Sequence, residues 1–277
     1  MMYTLNCKGK LLTINKPIVM GIINTTPDSF YQGHLQQGID KMSALAGQML
    51  LDGADILDVG GQSTRPGSER LDADAEIARV VPVIEAILQK HPGAIVSVDT
   101  YHSKVAATAV AAGASIVNDI SGGTMDADML HTVAALQTPY ICMHIKGTPD
   151  TMQQQANYSD VTLEVLDYFI EKTEACKRAG IHDVIIDPGF GFGKTAEHNF
   201  RLLKQLSAFS ILQKPILAGL SRKSTIYKTL GITAAEALNG TTALNTIALM
   251  NGAHILRVHD VKEAKEAVTL FEAYNNA

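Results

Sequence analysis

Short apolar runs rich in β-branched residues recur along this chain, and each is followed by a longer segment with helical spacing. Runs that are apolar throughout are typical of parallel strands buried on both faces, because helices cover both sides of a parallel sheet. This repeat constrains the fold more than any other feature of the chain. The runs occupy residues 17–24, 55–61, 94–100, 115–121, 139–145, 183–189, 215–221 and 254–260.

Eight strand–helix units within 277 residues favour an α/β fold of the (β/α)8 TIM barrel type, built as a single domain over residues 1–277. A doubly wound open sheet is the alternative, although it usually has fewer strands at this length. Residues 1–16 precede the first run, and the NCKGK segment within them predicts a hairpin turn. We expect a short N-terminal hairpin extension that closes the barrel floor. Helix-stopping glycines stand before several runs, at Gly53, Gly113, Gly180 and Gly252.

The charge and the cysteines limit the class of protein. The net charge of −5 argues against general binding to nucleic acid or to an anionic membrane. Cys7, Cys142 and Cys176 are far apart and odd in number, which indicates free thiols in a reducing compartment. No apolar stretch has the pattern of a signal peptide or the length of a membrane span. We therefore expect a cytoplasmic protein without a membrane or nucleic-acid partner.

The segment DPGFGFGKT at 187–195 ends in Gly-Lys-Thr, as a phosphate-binding P-loop does. That motif requires a glycine five residues before Gly193, and Pro188 occupies the position. The segment is better interpreted as the end of the sixth run and its loop. Asp187 then offers a carboxylate at the strand end, while Phe190 and Phe192 offer flat apolar surface to a ring-shaped ligand.

Polar residues stand at the carboxyl ends of the runs, where a barrel of this type carries its chemistry. Alternation along a strand places Asp99 on the face of Ile95, and Arg257 on the face of Ile255. One interpretation is that these groups pair with each other as a structural plug, and the other is that they surround a ligand. Their presence at almost every strand end favours the ligand site. They are Asn24, Asp58, Asp99, Asn118, His144, Asp187, Ser221, Lys223, Arg257 and His259.

Two basic clusters follow the last two runs, where such barrels commonly bind phosphate. They are SRKS at 221–224 and the pair Arg257 and His259. A solvated charged turn is the alternative for the first of them. Together they predict a phosphorylated substrate or a pyrophosphate leaving group. Asn24 and Asp28 are hard oxygen donors of the kind that Mg²⁺ accepts beside substrate phosphates.

Several segments in order resemble the dihydropteroate synthases of folate biosynthesis. They are MGIINTTPDSF, DVGGQSTRPGS, SVDT, NDISG, DPGFGFGK, GLSRKS and RVHDV. The resemblance runs from about Val19 to the last helix. It implies a transferase that joins (7,8-dihydropterin-6-yl)methyl diphosphate to p-aminobenzoate, giving 7,8-dihydropteroate and pyrophosphate.

The resemblance also implies roles for individual residues in holding the pterin. Arg257 would stack its guanidinium on the pterin ring, while Met143 and Phe192 would line the pocket. The edge of the ring would be hydrogen-bonded by Asp99, Asn118, Asp187 and Lys223, since carboxylates match its N–H donors and the other groups match its acceptors.

The same resemblance implies a diphosphate site and an aminobenzoate site. The diphosphate would be held by Asn24, Arg257 and His259, and Thr64 would contact it. Mg²⁺ would bind to Asn24 and Asp28. The aminobenzoate site would be formed by Ser63, Arg65 and Pro66. Catalysis would rest on Asn24, Lys223, Arg257 and His259, which assist a dissociative departure of pyrophosphate before the neutral amine attacks. Sulfonamides would compete with aminobenzoate, and the partner would be a second copy in a homodimer.

Two departures from the family pattern concern the loops. Gln62 stands where the family commonly has Glu, and YQGH at 31–34 replaces an SDGG-like run.

Two rival functions are considered: a pterin-binding methyltransferase domain of the corrinoid-linked type, which has no diphosphate to hold, and a non-catalytic pterin- or phosphate-binding protein. Formation of dihydropteroate separates the synthase from both rivals.

Overall fold

The computed structural model describes residues 2–25, 35–62 and 70–277. Within them, parallel strands pair in the order β8-β7-β6-β5-β4-β3-β10-β9, and a bridge between Ile186 and Ile216 joins the two ends of this series. The ring is therefore the (β/α)8 barrel that the sequence predicts. Its strands are β3 (Ile18–Asn24), β4 (Ile56–Gly60), β5 (Val96–Asp99), β6 (Ile116–Asp119), β7 (Tyr140–Met143), β8 (Val184–Asp187), β9 (Leu217–Ala218) and β10 (Ile255–Val258).

Helices cover the outside of the ring and connect the strands. Asp72 and Asp160 begin two of them by accepting hydrogen bonds from first-turn backbone N–H groups. The four glycines predicted to stop helices all have positive φ, as a C-terminal glycine cap requires. The helices are α1 (Leu35–Leu51), α2 (Ala73–Lys90), α3 (Ser103–Ala111), α4 (Met129–Leu136), α5 (Val161–Ala179), α6 (Ala196–Lys204), a 3-10 helix (Leu206–Leu212), α7 (Ser224–Leu230), α8 (Leu238–Met250) and α9 (Val261–Asn275).

The seventh strand is shorter than the apolar run that predicts it. The run covers 215–221, whereas β9 contains only Leu217 and Ala218. Pro215 has no backbone N–H to donate to a neighbouring strand, so regular pairing begins after it. Beyond Ala218 the chain turns into the loop that leads to α7, and this short strand brings that loop close to β8 and β10.

The two faces of each strand have different neighbours. Leu57 and Val59 of β4 belong to the large apolar cluster shared with the helices, whereas Ile56 belongs to a separate cluster inside the ring. The inner cluster also contains Met20, Ile116, Ile141, Ile185, Leu217 and Ile255. Strand alternation therefore separates an outer shell of apolar contacts from a lumen filled by side chains.

The N-terminal hairpin closes the amino-terminal end of the lumen. Strands β1 (Tyr3–Cys7) and β2 (Lys10–Ile14) pair antiparallel, and Leu5, Cys7 and Ile14 pack into the same inner cluster. The hairpin predicted for residues 1–16 is thus confirmed in residues 3–14, and it lies under the floor of the barrel. Of the helices in the described residues, none combines the length and apolarity that a membrane crossing demands.

The hairpin's contribution to stability is testable with two leucines of opposite exposure. Leu5 is 2% exposed, and Leu11 on the neighbouring strand is 72% exposed. We expect Leu5→Ala to lower the free energy of unfolding by about 3 kcal/mol, because it leaves a cavity in the lumen. Leu11→Ala is the control and should change it by less than about 0.5 kcal/mol. Urea unfolding measures both, and equal effects would show that the hairpin does not plug the barrel.

Candidate active site

The carboxyl ends of the parallel strands gather polar side chains at one end of the ring. Ile56, Ile185 and Ile255 lie in the lumen, so the residues two positions later on the same strands point to the same side. Those residues are Asp58, Asp187 and Arg257. The alternation argument is therefore confirmed, and the lumen changes from an apolar layer to a charged layer toward the mouth.

Arg257 is the centre of the first polar cluster. Its Nε donates to Asp58 Oδ2 at 2.6 Å, and its Nη2 donates to Asp99 Oδ2 at 2.5 Å. Asn118 Nδ2 donates to the same Asp58 oxygen at 3.0 Å. Three of the predicted pterin residues thus meet in one network. The acid–base pairing expected of a structural plug is also present, because Arg257 neutralises two carboxylates that burial would otherwise make costly.

Asp187 and Lys223 form a second cluster beside the first. A Cβ atom built on Gly219 would lie 3.6 Å from Lys223 Nζ and 4.0 Å from both Asp187 Oδ2 and Arg257 Cβ. All three side chains therefore lie around Gly219. Lys223 Nζ also donates to the Phe190 carbonyl at 2.5 Å. The predicted residues Asp187, Lys223 and Arg257 therefore share one mouth.

An apolar wall stands next to these charges. Met143, at the end of β7, is buried in a small cluster against which Phe192 packs. The Phe192 ring also lies under the ammonium group of Lys223, with Nζ 4.7 Å from the ring centroid. The two residues predicted to line a pocket are thus in one cluster, beside the charged residues. The other members are Tyr101, Ile120, Ile145, Met152 and Met125.

The residues predicted for the diphosphate stand at the outer edge of the mouth. His259 is exposed, and its Nδ1 lies 3.0 Å from Ser221 Oγ, which also accepts from the His259 backbone N–H. Asn24 ends β3 with its side chain exposed at the same edge of the sheet. The other predicted residues fall outside the residues that the structure describes, so their roles remain predictions. These are Asp28, Ser63, Thr64, Arg65 and Pro66.

Burial shifts the pKa values of three groups at the mouth, Asp99, Asp187 and Lys223, in the direction that reduces their charge. It raises the pKa of Asp99 to about 7 against the opposing effect of Arg257, and it raises the pKa of Asp187 against that of Lys223. Burial lowers the pKa of Lys223 to about 8. Partial desolvation and then Arg257 lower the pKa of His259 to about 4, so this ring is neutral near pH 7.

Asp58 is a site residue whose role the sequence reasoning did not assign. It is fully buried, and its Oδ1 has no hydrogen-bond partner among the described residues, while its Oδ2 joins Arg257 to Asn118. Alternation from Ile56 places it in the lumen, and that signal was available. What the sequence does not contain is the choice of Arg257 as its partner, since β10 and β4 are separated by β3 in the sheet.

Glu76 is a buried acid behind the mouth, in the first turn of α2. Its side chain is fully buried, and a Cβ built on Gly61 would lie 2.9 Å from Glu76 Cγ. Neither carboxyl oxygen has a hydrogen-bond partner among the residues described. Burial raises the pKa of Glu76 to about 8, with the nearby Thr100 hydroxyl opposing part of the rise. Glu76 is therefore largely protonated near pH 7.

Comparisons with a family model and with known sequences agree on one family. The model of the pterin binding enzyme family matches residues 20–259. A dihydropteroate synthase of Escherichia coli strain K12 is 43% identical over 268 residues, which covers 96% of this chain and 94% of that protein.

Solved structures agree with the sequence match. A Xanthomonas albilineans dihydropteroate synthase with 4-aminobenzoic acid superposes with a TM-score of 0.92 and 38% identity, covering 100% of both chains. A Yersinia pestis dihydropteroate synthase in a sulfonamide drug complex superposes with a TM-score of 0.93 and 39% identity, covering 99% of this chain and 100% of that chain.

The Arg257 network predicts a large loss of stability when one acid is neutralised. We expect Asp58→Asn to lower the free energy of unfolding by about 3 kcal/mol, because Arg257 keeps a buried charge with one partner fewer. Asp74→Asn is the control, since its pair with Lys104 is exposed and contributes less than about 1 kcal/mol. Denaturant unfolding at pH 7 measures both variants. A loss no larger than that of the control would contradict the network.

The buried carboxyl group of Glu76 predicts a specific pH dependence of the unfolding free energy. Between its ordinary pKa of 4.5 and about 8 the folded chain binds more protons at this site than the unfolded chain, so its contribution to stability falls as the pH rises. We expect Glu76→Gln to match wild type at pH 4.5 and to exceed it by more than about 1 kcal/mol at pH 8. Glu85→Gln, exposed on the same helix, should show no such gain. A pH-independent difference in unfolding free energy would refute the assignment.

Proposed function

Because the chain belongs to the dihydropteroate synthases, a group of transferases within the pterin binding enzyme family, we propose that it makes 7,8-dihydropteroate from p-aminobenzoate and (7,8-dihydropterin-6-yl)methyl diphosphate. The observation that carries the proposal is the charged layer at the barrel mouth. Arg257 bridges Asp58 and Asp99 there, next to Asp187, Lys223 and an apolar wall.

The charged layer suits a flat heterocycle with alternating donors and acceptors. A 2-amino-4-oxo pterin presents N–H groups that a carboxylate such as Asp187 accepts, and ring acceptors that Asn118 or Lys223 can serve. The apolar faces of the ring would pack on Met143 and Phe192. Arg257 is proposed to stack its planar guanidinium on the ring, as lysine cannot.

The outer edge of the mouth suits the diphosphate. Ser221 offers a hydroxyl, His259 an imidazole ring and Asn24 a side-chain amide. The carbon–oxygen bond from the pterin methylene to the diphosphate breaks first, which leaves a methylene cation delocalised into the ring. The aminobenzoate nitrogen then forms the new carbon–nitrogen bond and releases one proton. Positioned cations that stabilise the departing charge supply the catalysis.

Magnesium is proposed to assist at the diphosphate. In residues 2–25, 35–62 and 70–277, no three His, Cys, Asp or Glu side chains are gathered as a metal site. The ion commonly uses one or two protein oxygens together with substrate phosphates and water, so the exposed Asn24 is a fitting donor. Bound there with Asp28, it would neutralise charge on the leaving pyrophosphate.

The binding of aminobenzoate, the assembly and the compartment are further parts of the proposal. Ser63, Arg65 and Pro66 are proposed to face the amine substrate, and Thr64 is proposed to contact the diphosphate. Sulfonamides are proposed to compete with aminobenzoate, since a relative was solved in a sulfonamide complex. Three buried free cysteines support a reducing cytoplasm. A homodimer is proposed from the family resemblance, which sedimentation measures and a monomer at micromolar concentration would contradict.

The direct test is incubation with the pterin diphosphate and labelled p-aminobenzoate. We expect dihydropteroate and pyrophosphate in equal amounts, formation that depends on Mg²⁺, and inhibition by a sulfonamide that aminobenzoate relieves. No condensation product from a folded protein would reject the synthase, and would leave the methyltransferase and the non-catalytic binder. Product formation in a chelator without added metal would reject the magnesium assignment alone.

Two lysine variants, one at the mouth and one outside it, show whether the activity depends on this site. Lys223→Ala should lower the rate by at least about a hundredfold, because it removes a cation from the buried cluster around Asp187. Lys228→Ala is the control, since Lys228 is exposed on α7, the helix that begins directly after Lys223, and its rate should stay within about twofold of wild type. Similar rates for the two variants would place the chemistry elsewhere.

A further inference from the structure

A buried lysine, Lys194, lies behind the residues that face the mouth. It belongs to the loop between β8 and α6, and its side chain is 4% exposed. Nothing in the proposed reaction uses it directly. A buried ammonium group is costly unless it is fully hydrogen-bonded, so its partners indicate what it does.

Three hydrogen-bond acceptors lie within reach of Lys194 Nζ. Its Nζ lies 2.9 Å from His144 Nδ1, 3.0 Å from the Gly189 carbonyl and 3.1 Å from the Phe192 carbonyl. Burial and then the Lys194 charge lower the pKa of His144 to about 2, so the ring is neutral and its Nδ1 can accept. The ammonium group therefore joins the end of β7 to two points of the loop after β8.

The clamped loop is the one that orients Asp187. The Gly189 backbone N–H donates to Asp187 Oδ1 at 2.8 Å, while the carbonyl of the same residue accepts from Lys194. Gly189 has φ of +69°, and a Cβ there would lie 2.0 Å from the His144 carbonyl oxygen. Only glycine allows the loop to lie this close to β7, so a shift at Gly189 would change the direction of the carboxylate.

The same loop supplies the surroundings of Lys223. The Phe190 carbonyl accepts from Lys223, and the Phe192 ring lies beneath its ammonium group. Lys194 binds the Gly189 and Phe192 carbonyls, which are on either side of that acceptor in the chain. The loop thus presents a carboxylate, a carbonyl and an aromatic ring to the mouth, and Lys194 binds it from behind.

We propose that Lys194 is a positioning residue for the pterin: through His144 and the carbonyls of Gly189 and Phe192 it holds the loop that sets Asp187, Lys223 and Phe192 in place. This inference rests on the proposed function, because it assumes that a pterin occupies the mouth. It makes the Lys194–His144 pair specific for one of the two substrates, since the residues proposed for aminobenzoate belong to other loops.

The test compares four single variants, and the double variant of Lys194→Met with His144→Leu, in two measurements. The first measurement is the dissociation constant of 6-hydroxymethylpterin, which binds without reacting, and the second is the Michaelis constant for p-aminobenzoate. Lys194→Met and His144→Leu each break the clamp. His144→Asn keeps an acceptor near the position of Nδ1 and is the rescue variant. Lys146→Met is the control, because Lys146 binds the Asn157 carbonyl and Glu164 and does not bind this loop through its side chain.

We expect Lys194→Met and His144→Leu to weaken pterin binding by about tenfold or more, and the double variant to lose no more than either one, because the two groups act as a unit. His144→Asn and Lys146→Met should stay within about threefold of wild type. The Michaelis constant for p-aminobenzoate should stay within about threefold in every folded variant.

Each other outcome has a definite meaning. If wild type does not bind the pterin, the proposed function fails. If wild type binds the pterin and Lys194→Met binds it equally well, the positioning role is overturned. The role is also overturned if Lys194→Met loses affinity for the pterin and for p-aminobenzoate in parallel. If Lys194→Met does not fold by circular dichroism, the two His144 variants decide, and equal pterin affinities for them overturn the role.

Discussion

The site depends on a partly buried arginine that reaches across the barrel. Arg257 extends from β10 past β3 to Asp58 on β4 and Asp99 on β5, and its two short hydrogen bonds tie three strands together. Charges in a protein interior are tolerated only when paired, so this network allows a polar layer above the apolar lumen. The apolar layer in turn needs its floor closed, which the N-terminal hairpin accomplishes with Leu5, Cys7 and Ile14.

The acids and bases of the charged layer are suited to exchanging their partners within the protein for a ligand. The acids and bases at the mouth pair with one another, yet burial raises the pKa of Asp187 and lowers that of Lys223 to about 8. Both shifts mean that these groups are incompletely solvated, and a ligand that supplies matching donors and acceptors would relieve that deficit. A pairing that looks structural in the free chain is thus compatible with ligand binding.

Much of the fold was predictable from the sequence, because it follows from local patterns. Strand alternation identifies which of Ile255, Leu256 and Arg257 face the lumen, and the apolar runs locate all eight strands of the ring. The hairpin follows from NCKGK. The resemblance assigned Asp99, Asn118, Asp187, Lys223 and Arg257 to one site, and the structure brings them together. The roles in ligand binding that it implies remain predictions.

Other features were not predictable because they depend on partners distant in the chain. Asp58 and Arg257 are 199 residues apart, and only the order of strands in the ring brings them together. Lys194 resembled a P-loop lysine in sequence, whereas its burial against His144 depends on how one loop lies on β7. The late start of β9 is a different case, because it follows from Pro215, a local signal that the apolar pattern alone does not take into account.

The central claim is that one mouth holds a flat heterocycle and a pyrophosphate together, and a crystal structure with a pterin and pyrophosphate bound tests it most directly. The account predicts the ring between the apolar wall and Arg257, with its edge on Asp187 and Asn118, and the pyrophosphate beside Ser221 and His259. A pterin bound outside the ring of strand ends, with the Arg257 network facing only solvent, would contradict it.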